Sequence, residues 1–598
     1  MDGTPDWERF DYGDGNHRLV IYLHGLNAEE NRNRSLLKTV RSEMPGADIY
    51  SPRLPYSWGL SMVPLADVTF QLLKHVDELW ASKQNRDGFH YEDVVIIGHS
   101  LGAVIARKLL VCAHGEVTWK SYPNTDEVWQ PAPFEEELAG SVCRDWAPSV
   151  SRLVLLAAMS RGWSINDVRS PAWAALMRVG VLFGQLFPKQ PAIFELRRGA
   201  PFVSQTRLQW LALVDPRGDL EPRDYQPSRV IVAQLLGTVD NAVSPDDTLD
   251  FALDNQDPTF FLIQVPSSNH VSLLDMTESS LASDPRAIRR QLFSTALTGS
   301  AQEIAAIATP REYVSEQLPP PPDYDVKHAV FVIHGIRDLG FWTQKIAAEI
   351  KRQSNGTVKS ISPSYGFFAM APFILPWVRR QKAEWFMDLY VQARARYPHA
   401  EFSYVAHSNG TYILARALEQ NPACRFRHVV FAGSVVRSDY DWRTKIANGR
   451  VRKVLNYVAT RDWVVAGFPF AVRSLRSFDL GGAGHIGFLD NSDAVANSMF
   501  IRGSHGAGIQ EDHWDDIARF VLDGTVPQED PSTHSPTQPS WIKRLGKWSP
   551  WLLLIATTTL LCFYLRFGYY ALFTADSAGP AVGFIGLSWL IWAVLNKL

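Results

Sequence analysis

The sequence predicts two α/β domains in tandem, each a mostly parallel sheet with helices on both faces, ahead of a C-terminal transmembrane helical hairpin. Three observations carry this expectation. A strand–helix grammar occurs twice, two proline-rich breaks delimit the repeats, and two apolar runs close the chain. Strands written as near-continuous apolar runs, alternating with helical stretches, are the signature of a buried parallel sheet. The expected boundaries are a first domain at 1–310 with an apolar cap insertion at about 161–213, and a proline-rich linker at 311–325. A second domain at 326–524, a flexible tether at 525–547 and the hairpin at 548–598 follow.

Composition agrees with several folded units. A chain of 598 residues exceeds one ordinary domain, and 46% hydrophobic with 20% charged residues is globular rather than disordered. The net charge of −3 and the lack of a long basic block speak against nucleic-acid binding. Cys112, Cys143, Cys424 and Cys562 are scattered, with no CxxC pair, so neither a zinc site nor a disulfide framework is expected. Such usage fits a reducing compartment. The opening MDGTPDWERFDYGDGN is acidic and lacks the apolar core of a secretory signal.

Each repeat opens on an apolar strand ending in His-Gly, at Leu19–Gly25 (LVIYLHG) and Ala329–Gly335 (AVFVIHG). A helix, a strand with proline and aromatic residues, and a long helix come next. A strand then runs directly into a serine, in DVVIIGHSLG (Asp93–Gly102) and FSYVAHSNG (Phe402–Gly410), and a helix leaves each serine.

Gly98-His99-Ser100-Leu101-Gly102 matches the G-x-S-x-G nucleophile elbow. The serine must stand on a strained strand-to-helix turn, where side chains two positions away would strike backbone, hence glycine at both places. By composition alone a chain this long gives roughly 0.2 chance matches, so the preceding strand, the following helix and the upstream His24-Gly25 supply the specificity. Together these residues resemble the α/β-hydrolase superfamily, in particular its lipase and esterase branches. The resemblance implies a triad in the order Ser, acid, His. Asp240 follows the strand VIVAQLLG and His270 follows FFLIQV, each at the expected place. Ser100 would attack, His270 would take and return the proton, and Asp240 would orient the imidazole. The backbone N–H groups of Leu26 and Leu101 would form the oxyanion hole. Asp246 and Asp247 are rival acids. His24 precedes the serine and reads as structural, and His99 as a packing residue of the elbow.

Between the strand after Ser100 and the acid lies Trp163–Trp210, rich in Trp, Leu, Phe and Met, including PAWAALMRVGVLFGQLF. It reads either as a lipophilic cap over an acyl site or as ordinary helix packing.

In the second repeat, Ala406-His407-Ser408-Asn409-Gly410 replaces the first elbow glycine by alanine, a small residue that a tight turn admits. Asp462 follows KVLNYVAT as the candidate acid. His505 follows SMFIRGS as the candidate base, ahead of His485 and His513. Ile336 and Asn409 would donate to the oxyanion. The competing reading is a degenerate copy kept for binding or stability.

At the C-terminus, Trp551–Phe573 is apolar apart from Arg566, and a second run covers about 580–595. About 20 apolar residues cross a bilayer. ADSAGP joins the runs, and Lys543, Arg544, Lys547 and Lys597 flank them on one side, which by the positive-inside tendency places the hydrolase domains in the cytoplasm. A buried hairpin of a soluble protein is the alternative. Because the tether would isolate the hairpin, a chain cut after about Ser540 is expected to be soluble and folded.

The leading function on sequence grounds is a membrane-anchored serine hydrolase acting on a carboxylic ester or thioester, with a small-molecule or lipid ester substrate and the bilayer as partner. It would need neither cofactor nor metal: no phosphate-cradling glycine loop, H-E-x-x-H or dinucleotide fingerprint occurs. An acyltransferase or peptidase on the same triad, and a non-enzymatic membrane scaffold or sensor, are the other classes.

Overall fold

The computed structural model describes residues 6–13, 17–26, 30–56, 61–115, 143–164, 191–214, 230–240, 242–248, 250, 259–310, 313, 320–336, 338, 340–366, 368, 370–473, 479–490, 492–574 and 579–597. The apolar stretch at 171–187 and most of the linker expected at 311–325 lie outside these residues. The chain divides into two compact units, 1–322 with 387–398 and 323–386 with 399–598.

The first unit holds a seven-stranded sheet. Its strands are β1 (Phe10–Asp11), β2 (Arg18–Leu23), β3 (Asp48–Tyr50), β4 (Asp93–His99), β5 (Val150–Leu156), β6 (Ile231–Gly237) and β7 (Phe260–Val265), in the order β1-β3-β2-β4-β5-β6-β7. Only the short β1 runs antiparallel to its neighbour. Alternation along β2 explains the layers. Leu19, Ile21 and Leu23 face one core with α2 (Leu65–Asp87) and α3 (Leu101–Ala113). Val20 and Tyr22 face the other, with α1 (Glu30–Glu43), α4 (Pro285–Thr298) and α5 (Ala301–Ile307).

The second unit holds six parallel strands: β8 (His328–Ile333), β9 (Lys359–Ile361), β10 (Glu401–His407), β11 (Phe426–Ala432), β12 (Val451–Ala459) and β13 (Val495–Ile501). Their order, β13-β12-β11-β10-β8-β9, repeats that of the parallel part of the first sheet. One face packs Val330, Val332 and Val405 against α6 (Phe341–Gln353) and α7 (Trp514–Asp523). On the other, Phe331 meets Phe402 and Phe426 at ring-centroid distances of 5.4 and 6.3 Å.

Register decides where the chemistry-bearing residues emerge. Leu23 pairs with Gly98 and Ile333 with Ala406, so each His-Gly turn lies beside its serine. Gly237 pairs with Val265, and Ala459 with Ile501 across a bulge, so Asp240 and His270, like Asp462 and His505, leave the same end of adjacent strands. In each unit the chain reverses its direction of travel across the sheet beside the serine strand, the switch point where open α/β sheets hold ligands.

The segment expected to be a flexible tether is instead fastened to the second unit. His534 bridges to Ile501 and its Nε2 lies 2.9 Å from Ser498 Oγ, while Arg502 N donates to Thr533 O at 2.7 Å. Gln538 Nε2 donates to His485 O at 2.9 Å. The edge strand β13 has unpaired backbone groups, and this segment satisfies them, which composition does not reveal. Helix α8 (Ser540–Tyr569) begins before the expected hairpin start and packs on α9 (Trp463–Ala471), and its Leu553 lies against the apolar cluster that holds Val465 and Val472 of that region. Among the described residues α8 is the one helix long and apolar enough to cross a membrane, with mean hydropathy 1.6. A second helix, α10 (Gly579–Lys597), meets it where Tyr564 and Ser588 hydroxyls lie 2.8 Å apart.

This packing changes the expectation for truncation. A chain ending at Ser540 strips α9, sequence WVVAGFPFA, of its cover. It should aggregate, or melt several degrees below the full chain in detergent, as followed by light scattering and thermal unfolding.

Candidate active site

The first site is built on a strained turn. Ser100 follows β4 with φ 53° and ψ −119°, a conformation rare for any residue with a side chain. It is held because the Ser100 N–H donates to Leu156 O at 2.9 Å and α3 begins at the next residue. The flanking glycines are required by close backbone. A Cβ on Gly102 would stand 2.2 Å from Leu23 O, and one on Gly98 would stand 2.5 Å from Ala103 Cα. A Cβ on Gly25 would meet Ser100 Cβ at 2.9 Å, so the His-Gly turn lies directly against the serine.

The structure brings Ser100, His270 and Asp240 into one chain of hydrogen bonds. His270 Nε2 is 2.9 Å from Ser100 Oγ, and His270 Nδ1 is 3.1 Å from Asp240 Oδ2. Asp240 Oδ1 accepts from Ala242 N at 2.9 Å and Val243 N at 3.0 Å, which fixes the carboxylate. Burial pulls the Asp240 carboxyl upward. The His270 hydrogen bond and charge, with those two amides, overcome it and leave the group below its ordinary value. The carboxylate therefore stays ionised beside the imidazole. Leu101 N belongs to the first turn of α3, where N–H groups lack intrahelical acceptors, and Leu26 sits half-buried on the turn after Gly25.

The rivals go elsewhere. Asp246 is exposed, and Asp247 is buried under Arg198 Nη2 at 2.6 Å and Ser164 N at 3.1 Å. His24 spans the turn, donating from Nδ1 to Gly25 O and accepting Leu54 N at Nε2, both at 2.8 Å.

The second site repeats the turn but closes it only in part. Ser408 has φ 54° and ψ −121°, and its N–H donates to Ala432 O at 3.0 Å. His505 Nδ1 lies 3.0 and 2.9 Å from the two oxygens of Asp462, which is fully buried and also caps α9 through Val465 N at 3.0 Å. Among the described residues no hydrogen bond joins His505 to Ser408. A Cβ on Gly410 would stand 2.7 Å from Ile333 O and 3.2 Å from Ala406 Cβ, so this second glycine is held by close backbone as Gly102 is. Ile336 is half-buried on its turn, and Asn409 opens the helix Asn409–Gln420, its side-chain Nδ2 3.4 Å from Tyr365 Oη. His485 is buried beside Phe470 and His513 beside Tyr457, and among the described residues neither ring is hydrogen-bonded to Asp462 or Ser408.

One histidine inside each elbow, His99 (read from sequence as a packing residue) and His407, holds the candidate base. His99 Nε2 donates to His270 O at 3.0 Å, and His407 Nε2 to His505 O at 3.2 Å. Burial first, and then repulsion from the neighbouring imidazole, push His99 and His407 each down to about 3, so both rings are neutral. The recurrence of histidine at one offset in two elbows was the available signal. Tyr365, stacked on His334 with its hydroxyl 2.8 Å from the carbonyls of His334 and Gly335, had no sequence signal.

Residues 20–287 match the alpha/beta hydrolase family. Esterase B from Lactobacillus rhamnosis, inhibited by a tributyrin phosphonate, is 16% identical, with 50% of this chain and 80% of that one covered and a TM-score of 0.31. Phospholipase PlaB from Legionella pneumophila, in complex with thio-NAD, is 14% identical over 48% and 60% of the two chains, with a TM-score of 0.30. The lipase BlEst2 from Bacillus licheniformis is 14% identical over 45% and 91%, with a TM-score of 0.27. No curated protein matches the chain. The first unit has the α/β-hydrolase fold, a parallel sheet with helices on both faces.

Two outcomes follow from this geometry. Gly102→Ala drives a methyl into a strand carbonyl and should destabilise the first unit by about 3 kcal/mol. Ala406→Gly should stay within about 1 kcal/mol of the parent; denaturant unfolding measures both. Buried His99, His328 and His407, each held at about 3, and His428, at about 4, start from an ordinary value of 6.5. Below 6.5 the unfolded chain takes up protons that the folded rings refuse. The stability they contribute is thus full above 6.5 and lost as pH falls toward 3, so the melting temperature should decline across that window.

Proposed function

We propose that the protein is a membrane-anchored serine hydrolase that cleaves a carboxylic ester or thioester through an acyl-serine. The observation that carries this is the Ser100–His270–Asp240 chain, with links of 2.9 and 3.1 Å, on an elbow at φ 53°. In this reading Ser100 Oγ attacks the carbonyl carbon while its proton passes to His270 Nε2. The negative oxygen of the tetrahedral adduct is met by the N–H groups of Leu26 and Leu101. Its collapse breaks the bond to the leaving alcohol or thiol, which takes the proton from His270. Water, deprotonated by the same imidazole, then releases the acid and restores Ser100. Asp240 fixes the tautomer that presents a bare Nε2 to the serine.

Ser408, His505 and Asp462 take the same roles in the second unit, with Ile336 and Asn409 as oxyanion donors. A second reading, in which only the first unit is catalytic, is favoured by the missing hydrogen bond between His505 and Ser408. Candidate catalytic hydrogen bonds are often long before substrate binds, which supports two active sites. The apolar α8, flanked by Lys543, Arg544 and Lys547, supports anchoring with the hydrolase units on the cytoplasmic side, and α10 would return the chain.

A fluorophosphonate probe on the full chain tests the assignment. Labelling that persists in Ser100→Ala and in Ser408→Ala, and vanishes in the double variant, is the expected pattern. Loss in Ser100→Ala alone would leave one active unit, and an unlabelled wild type would mean a scaffold. Asp240→Asn in the Ser408→Ala background should lower kcat by about 10⁴-fold on a soluble ester, because the amide favours the wrong tautomer.

A further inference from the structure

The helix that reads as the membrane anchor is also part of the wall of the second site. Helix α9 starts at Trp463, one residue after Asp462, and its N-terminus is capped by the Asp462 carboxylate that holds His505. The same α9 packs on α8, whose Leu553 joins an apolar cluster with Tyr412, Val435, Val465, Phe468 and Ile336. Tyr412 stands one helical turn after Ser408, and Ile336 is the candidate oxyanion residue. The cluster therefore reaches from the serine elbow, past the oxyanion turn, to the anchor helix.

On both sides of Leu553 helix α8 is apolar and open: before it Trp551 and Leu552 are 60 and 54% exposed, and beyond it the run continues. Leu554, Ile555, Leu560, Leu561 and Phe563 are 54, 62, 59, 56 and 61% exposed, surface that water disfavours and acyl chains accept. Lys543, Arg544 and Lys547 precede Leu553 on the same helix. At 1.5 Å per residue Lys547 and Leu553 are about 9 Å apart along the axis, enough to span the roughly 5–8 Å headgroup layer on one side of a bilayer's hydrocarbon core. Trp463, 59% exposed, opens α9. An ester bond of a glycerolipid lies in that boundary layer. A chain entering along α8 would reach the cluster around Ser408 without crossing water.

We propose that the second site takes its substrate from the bilayer, a long-chain acyl ester whose chain lies along Leu553 of the anchor helix while its carbonyl meets Ser408. The inference rests on the reading of Ser408 as a nucleophile and of α8 as membrane-inserted. The chemistry is that of the first site: Ser408 Oγ bonds to the carbonyl carbon, His505 receives the proton, and the lipid alcohol leaves with it. Water then frees the fatty acid. Leu553 acts on specificity, not on the reacting atoms.

The test uses the full chain carrying Ser100→Ala, reconstituted in phosphatidylcholine vesicles doped with umbelliferyl palmitate or umbelliferyl butyrate. The quantity read is the ratio of kcat/KM for the long over the short ester. It should favour palmitate by about tenfold or more, and Leu553→Ala should reduce the ratio about tenfold. Leu553→Met, which refills the wall, should restore it. A ratio that Leu553→Ala leaves unchanged, including a parallel fall with both esters, overturns the proposal and assigns Leu553 a structural role. Fluorophosphonate labelling of Ser408 in the same samples separates the two levels. Labelling with an unmoved ratio sinks the bilayer route alone, whereas no labelling that depends on Ser408 removes the nucleophile and the proposal with it.

Discussion

The structure depends on one constraint, a serine forced into a left-handed backbone conformation between a buried parallel strand and a helix. Such a conformation costs on the order of 1–3 kcal/mol and persists only where its surroundings over-determine it. Here they do so twice. In each unit the serine amide is tied to the neighbouring strand, and the next residue starts a helix. A His-Gly turn closes from the other side, so near that a single added methyl would collide. The hydroxyl is raised out of the sheet because the backbone has no other path.

Parallel pairing converts that local strain into a site. Strands in register end together, so the residues three to five positions past their ends share one edge of the sheet. Asp240 and His270 reach Ser100 because Gly237 and Val265 are partners, not because they are near in sequence. The buried neutral imidazole inside each elbow adds a direct tie to the carbonyl of the candidate base. A charged ring there would lose its solvation and repel the base, which is why burial keeps it neutral.

The two units differ in how completely this arrangement closes. In the first, serine, imidazole and carboxylate are linked continuously. In the second, the carboxylate serves two masters, holding His505 and capping α9, the helix on which α8 packs. The geometry of that acid is thus coupled to the packing of α8, whereas the acid of the first unit is fixed by its own turn amides.

Much of this was legible in the sequence. The elbow at Ser100 could be read because a strained turn admits few residue types, and Asp240 and His270 could be singled out because the resemblance implies an acid and then a base after successive strands beyond the serine. The rivals Asp247, His485 and His513 could be set aside only by tertiary contacts, since what disqualifies them is a partner remote in the chain: Arg198, Phe470 and Tyr457. The tether misled for a related reason. Proline, serine and threonine without periodicity mark a segment that forms no core of its own, yet β13 offered it unpaired backbone groups. By itself the sequence determined the periodic and the sterically extreme: the strand–helix repeat, the elbows and the apolar end. Only the tertiary structure decided which remote groups meet, because hydrogen bonds between distant residues depend on register and burial, and neither is written in local composition.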